Sequence, residues 1–419
     1  MCSSRWLLPV IILVALAIRM VVVCFTYRDL PYAEEYLSHP QFGFEMGWIA
    51  RALASGHGFA SPYYYWSGPT ADQPPLYPFL LSGIFRLFGI FSITSGFIIL
   101  SLDSLISALT CIPVYFSAKC SLGARGAKVA AWVWAFYPFA IYFSAGRVWE
   151  YALTCLLFTT CFCIAQRIHQ TTNFFAWMGW GALFGLTALS NPAVLSTLPF
   201  LLLLALYMVR KSSGRWLVNG VLATVAVIAV LTPWTVRNYR ALGILCPVRD
   251  NFWHEVYSDN SGDASLDPVS THPASNLEAM RKYLSMGETA FLAEKHTLAV
   301  DYLKHHPEFF IHKSLRRFFY YWTGYWSLST EEIREQPYEP ANIFYVSCIT
   351  LLMLRGARRL WRQNRAAALP YLALIGVFPL TYYMTHPLMD YRQPIEPAII
   401  VLAVSGALPW RRIRPGAHK

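Results

Sequence analysis

Charge is scarce in this chain of 419 residues: Asp, Glu, Lys and Arg together make up 14% of it, a little over half of the roughly 25% usual for a soluble domain. Apolar residues make up 56%. So few charges could not coat a water-soluble fold while that much apolar side chain was hidden inside. The shortage excludes a soluble globular protein and leaves a membrane protein, in line with a mean hydropathy of +0.38. Gly (24) and Pro (26) are not in excess, which removes collagen-like and low-complexity classes. A cysteine framework is lacking too. Of the nine cysteines, Cys24, Cys111, Cys155, Cys161, Cys163 and Cys348 lie in apolar runs, so structural disulfides are not expected. There is no His-x-x-His or Cys-x-x-Cys pair, no short-period repeat, and no second soluble domain with a core of its own.

What is present is a series of apolar stretches near the roughly 20 residues that span a bilayer. They run at about Leu7 to Phe25, Gly96 to Ala118, Ala127 to Ala145, Trp149 to Ile168, Phe174 to Leu189, Ala193 to Val209, Trp216 to Val236, Asn342 to Leu360, Ala366 to Thr385 and Pro394 to Pro409. Threading the chain alternately through these ten puts seventeen Lys and Arg residues, and no Asp or Glu, on one side. By the positive-inside rule that side is cytoplasmic, with both termini on it. The net charge of +11 is thus read as topology rather than as a nucleic-acid surface. Leu7 to Phe25 is read as a retained signal anchor, since no small-x-small cleavage site follows it.

The expected architecture is an all-α polytopic membrane protein. Residues 1–236 form a transmembrane module that includes the first outer loop (26–95), residues 237–341 an outer-facing segment, and residues 342–419 the C-terminal transmembrane helices. In the first loop, Gly43 to Ser55 has apolar residues at helical spacing, predicting a helix that lies at the interface. Phe79 to Gly89 is apolar but too short to span. In the outer-facing segment, the aromatic and basic run Phe309 to Trp326 predicts a helix in the headgroup layer.

Inside the spans, Arg19 and Asp103 are expected to pair with each other or with a polar neighbour, because an unpaired charge there costs several kcal/mol. Arg147 and Glu150 read as an ion pair on one helical turn. The remaining ionisable groups gather at the outer membrane boundary. Acids in the first loop include Glu34, Glu35, Glu45 and Asp72; Arg237 and Arg392 stand at span ends, with His254, His386 and Tyr391 able to add hydrogen bonds. A carboxylate to take a proton and cations to hold a phosphate, placed where a lipid headgroup emerges, fit transfer of a sugar from a lipid phosphate. A lipid-linked-sugar flippase or other transporter, or a noncatalytic membrane scaffold, are the other readings. A transporter is expected to carry related halves and midplane ionisable groups.

Four stretches carry a resemblance: FGFEMGWIARALASGHGF from Phe42, GPTADQPPLYPFLL from Gly68, TPWTVRNYRALGILCPVRDNF from Thr232 and HPLMDYRQPIEPAII from His386. The Gly287-Glu288 pair and the Ala299 to Pro307 run add to it. Together they resemble the GT-C type membrane glycosyltransferases of the family 39 kind, which include protein O-mannosyltransferases and the aminoarabinose transferases that modify lipid A. The resemblance implies an inverting transfer from a polyprenyl-phosphate sugar to a protein, lipid or polysaccharide acceptor. It further implies a multi-pass inner-membrane enzyme with its active site on the outer or periplasmic side. Such families usually place an Asp where Phe42 stands, and Glu45, one turn on, is the substitute base, with Glu34 and Glu35 as competitors. Asp72-Gln73-Pro74-Pro75 resembles a Glu-Lys-Pro-Pro element whose acid approaches the donor or a metal, so Asp72 joins Glu45 as a catalytic candidate. Tyr391-Arg392 with Pro394 and Pro397 matches a Tyr-Arg-x-Pro-x-x-Pro pattern. Arg237, Arg392, Tyr391, His386 and Glu150 are the substrate-binding candidates. Each has a plainer alternative: headgroup snorkelling for Arg237, a satisfied span-end group for His386, a helix N-terminal acid for Glu45 and Glu150. No organic cofactor and no nucleic-acid partner are expected, membrane lipids are, and a divalent cation is left open.

Overall fold

The computed structural model describes residues 6–30, 42–210, 214–261, 272–325, 327–335, 338–386 and 388–408. Glu34 and Glu35 lie outside them. Within the described residues the chain is helical, and one isolated bridge between Ala60 and Pro69 is its only β pairing. In chain order the helices of the first half are α1 (Leu7–Thr26), α2 (Phe44–Ala54), α3 (Leu76–Phe88), α4 (Ile93–Leu109), α5 (Cys111–Ala135), α6 (Pro138–Ala145), α7 (Tyr151–Ala165), α8 (Phe174–Ala188), α9 (Leu198–Arg210) and α10 (Trp216–Leu242). The segment 237–341 holds α11 (Phe252–Asn260), α12 (Leu277–Met286), α13 (Glu288–His305), α14 (Pro307–Thr323) and α15 (Thr330–Glu335). The C-terminal part holds α16 (Glu339–Gln363), α17 (Arg365–Val377), α18 (Leu380–Met384) and α19 (Glu396–Ala407).

By length and composition, seven helical stretches among the described residues can cross a membrane. One of them, Ile93–Ala135, contains one expected span and the first half of the next, which continues in α6, and it is broken inside α5 at Gly123. Each of the ten expected spans coincides with helix. Those at α8 and α19 are too short to meet the same criterion, so the all-α polytopic class stands and seven spans are what the helices support.

Tight helix crossings build the bundle. A Cβ on Gly356 of α16 would collide with the Leu402 carbonyl of α19, and one on Gly406 with the Leu352 carbonyl. Small residues let these backbones touch where lipid offers no hydrophobic drive. Arg19 and Asp103 do not pair with each other. Arg19 donates to Ser107 Oγ and to the Ala15 and Ala135 carbonyls at 3.0 Å, and Asp103 accepts from the Tyr77 hydroxyl at 2.6 Å.

Two helices expected at a membrane surface bury their polar sides within the fold. In α2, Glu45 to Leu53 are all buried, and Arg51 stacks on Trp48, Tyr64 and Trp66. α14 turns its cations inward. Arg317 donates to Asn260 Oδ1 (2.9 Å) and the Asp259 carbonyl (2.6 Å), while Ile311, Leu315 and Phe319 are exposed. The apolar side of α14, not its basic side, is the one left facing out.

Candidate active site

Gly43 sets the position of the first acid. Its φ of 89° is a left-handed turn that an L side chain resists, and a Cβ there would press on the Val148 carbonyl at 3.3 Å. The turn starts α2 so that Glu45 falls in the first helical turn, where the free amides favour a negative charge. Asp72 is held differently, by an extended segment tied down through its backbone. Ala71 N donates to Glu288 Oε1 at 2.6 Å, Asp250 N donates to the Ala71 carbonyl at 3.2 Å, and Asp72 N donates to Thr70 Oγ1 at 3.0 Å. Arg237 completes the clamp by donating to the Thr70 and Phe59 carbonyls.

Glu45 and Asp72 face a common cavity of about 1070 Å³, with Glu150, His386 and Tyr391 also in its wall. Five of the seven residues singled out from the sequence therefore come together. Arg237 and Arg392 are not among the lining residues. Arg237 serves the backbone clamp, stacked over Phe59 and Trp234. Arg392 is fully buried, its Nε 2.6 Å from Glu396 Oε1 and its Nη1 donating to the Tyr321 carbonyl. Glu150 does not pair with Arg147, because the helix begins only at Tyr151 and the two are not on a turn. Instead Glu150 accepts from Asn191 Nδ2 at 3.2 Å, and Arg147 pairs with Asp390 at 3.0 Å.

Sequence reasoning missed Arg249, Glu255 and Asp259 in the cavity lining. Arg249 donates through Nε to Asn251 Oδ1 at 2.6 Å and lies 3.5 Å from Glu255 Oε1. His386 Nδ1 is 2.8 Å from Asp259 Oδ2 and 3.6 Å from Glu255 Oε2, and its Nε2 is 2.8 Å from the Tyr391 hydroxyl. Glu255 and Asp259 are four apart on α11, a spacing that puts both on one helix face and was the available signal. Arg249 lies inside one of the four quoted stretches.

The electrostatics separate the acids. Burial, with Asp72 adding, pushes Glu45 up to about 8, and burial offset by Arg249 leaves Asp72 at about 6. Burial puts Glu150 at about 8 as well. Behind Asp72, burial and the Asp72 charge raise Asp250 to about 7, and burial with Asp250 and Asp72 raises Glu288 to about 8. Across the cavity, burial would raise Glu255, but His386 and Arg249 outweigh it and hold it low. Burial also opposes a charge on His386, yet Asp259 and Glu255 lift it to about 9. A pair of carboxyls with separated affinities for a proton, facing fixed cations, can run acid–base chemistry beside a phosphate. Glu255, Asp259 and His386 bring two carboxylate oxygens and a ring nitrogen within 4.8 Å of one another, a donor set for a divalent cation. Taking one there requires His386 to give up its proton.

Residues 72–236 match the sequence family described as dolichyl-phosphate-mannose-protein mannosyltransferase. A search of curated proteins gave no match. Among solved structures, the chain is similar to the oligosaccharyltransferase of Archaeoglobus fulgidus in its apo form, with 12% identity and a TM-score of 0.54 over 96% of this chain and 50% of that one. The same archaeal protein in complex with an inhibitory peptide and a dolichol-phosphate gives the same figures. ArnT from Cupriavidus metallidurans bound to undecaprenyl phosphate is 15% identical over 96% of this chain and 78% of that one, with a TM-score of 0.42. The chain spans about half the length of the archaeal enzyme, and the likeness to it is one of fold. Residues 72–236, the part of the chain similar to that family, include Asp72 and Glu150 of the cavity wall.

Proposed function

We propose that this protein is a membrane glycosyltransferase that moves a sugar from a polyprenyl phosphate to an acceptor on the outer face of the membrane. The observation that carries this reading is the single cavity in which Glu45 and Asp72 confront Arg147 and Arg249. The two guanidiniums supply the phosphate contact, a role the sequence had suggested for Arg237 and Arg392, and they stabilise the charge that grows on the leaving group. The acceptor oxygen attacks the anomeric carbon, the bond from that carbon to the phosphate oxygen breaks, and polyprenyl phosphate departs with the electron pair. A carboxylate takes the acceptor proton. Direct displacement inverts the anomeric centre. Glu150, His386 and Tyr391 line the same cavity and orient the sugar. A transporter reading has less support, since the ionisable side chains inside the spans, Arg19 and Asp103, are tied to packed neighbours.

The test uses the purified protein in lipid nanodiscs, labelled polyprenyl-phosphate sugars and a cell-envelope extract as acceptor source. Release of polyprenyl phosphate with transfer of label is expected, and Glu45→Gln should lower kcat by about 10²–10⁴-fold, the range for general base catalysis. The pH profile identifies the base. A base works deprotonated, so kcat should rise about tenfold per pH unit and level off near 8 if Glu45 is the base, but near 6 if Asp72 is. Full activity in Glu45→Gln and Asp72→Asn would sink the site. Turnover-independent movement of the intact donor between leaflets would favour the transporter.

A further inference from the structure

A second cavity, of about 430 Å³, adjoins the first and shares Phe44, Glu45, Ala274 and Ser275 with it. The two differ in chemistry. The larger one carries four cationic or protonatable side chains, Arg147, Arg249, His272 and His386. Among the described residues lining the smaller, the one charged side chain is Glu45, and the rest of the wall is dominated by Trp48, Tyr63, Tyr64 and Tyr65, with Leu277 and Met280 from α12.

That contrast sorts the two substrates. A phosphate finds no cation in the smaller cavity, so the donor headgroup belongs with Arg147 and Arg249. The smaller volume falls within the roughly 300–1,000 Å³ of small-molecule sites. Aromatic rings with phenol hydroxyls suit a ligand that has an apolar face and a polar rim, which is the shape of a pyranose. Tyr65 is 37% exposed, so part of its ring is open to a ligand, and it packs at a right angle to Tyr64 with ring centroids 5.2 Å apart.

We propose that the smaller cavity is the acceptor subsite and takes a neutral saccharide, its ring against Tyr64 and Tyr65 and one hydroxyl at Glu45. The assignment rests on the sugar-transfer reading. Oxygen of that hydroxyl forms the new bond to the anomeric carbon as the bond to phosphate breaks, and its proton passes to Glu45.

The experiment measures binding separately from turnover. Saturation-transfer NMR on the protein in nanodiscs uses methyl hexopyranosides and a neutral disaccharide as probes, with an uncharged Ser/Thr peptide in parallel. Undecaprenyl phosphate binding is measured on the same samples. Saccharide binding is expected, weakened at least fivefold in Tyr65→Ala, retained in Tyr65→Phe and unaffected by Arg249→Ala. In turnover, Tyr65→Ala should raise the acceptor KM and leave the donor KM alone. Saccharide binding that is absent, or indifferent to Tyr65→Ala, while undecaprenyl phosphate still binds, overturns the acceptor assignment alone. Peptide binding in place of saccharide binding does the same. Loss of undecaprenyl phosphate binding in the wild type strikes at the transfer reading instead.

Discussion

Two arginine–carboxylate pairs in the protein differ in how tightly they close. Arg392 and Glu396 meet at 2.6 Å with both side chains fully buried, and the Tyr137 hydroxyl donates to Glu396 at 2.7 Å. Arg249 and Glu255 are looser, at 3.5 Å, and both line the large cavity. The closed pair has no room for a ligand and fixes the start of α19. In the open pair, the guanidinium is held by Asn251 and Glu255, and the proposed function assigns it to a phosphate. On that proposal the tighter contact is the structural one and the looser one belongs to the site.

The strongest way to break this comparison is to remove one partner from each pair. Arg392→Ala strands a buried carboxylate and should cost about 3–5 kcal/mol of stability, seen as a large drop in thermal midpoint in detergent. The joint replacement Arg392→Met with Glu396→Leu should recover most of it. Arg249→Ala should instead leave the thermal midpoint nearly unchanged and lower kcat/KM by about 10²–10³-fold, the scale for losing one electrostatic stabiliser. A stable, inactive Arg392→Ala, or an unfolded Arg249→Ala, would reverse the assignment. The smallest effect sharpens it from behind the cavity wall. Glu288→Ala leaves the buried Ala71 amide without its acceptor, a loss of about 1–3 kcal/mol, and should lower kcat about tenfold by loosening Asp72. Glu288→Gln, which still presents a carbonyl oxygen, should restore most of that rate.

The same contrast explains what the sequence could reveal. Apolar length located the long helices, seven of which can cross a membrane among the described residues, because burying or lipid-facing a span is a property of composition. Glu45, Asp72, Glu150, His386 and Tyr391 were legible because ionisable groups near span ends are few. Arg237 and Arg392 carry the same local signature, and whether a span-end arginine reaches a phosphate, a carbonyl or a carboxylate depends on partners 167 or more residues away for Arg237 and one turn along the chain for Arg392. The Glu255, Asp259 and His386 cluster joins α11 to the segment before α19, 127 residues apart, and no window along the chain contains it. Arg147 went to Asp390 rather than Glu150 since a helical spacing means nothing where the helix has not begun.

Arg237 sits near the end of α10, the 27-residue helix whose apolar run is among those long enough to cross the bilayer, and holds the Thr70 and Phe59 carbonyls. Two residues beyond Thr70 is Asp72. A change in the tilt of α10, the usual answer of a long helix to a thinner or thicker membrane, is thus passed along a short lever to one of the carboxylates proposed to react. The rate of this protein should register the thickness of the lipid around it, and a series of bilayers of graded acyl length would trace that dependence.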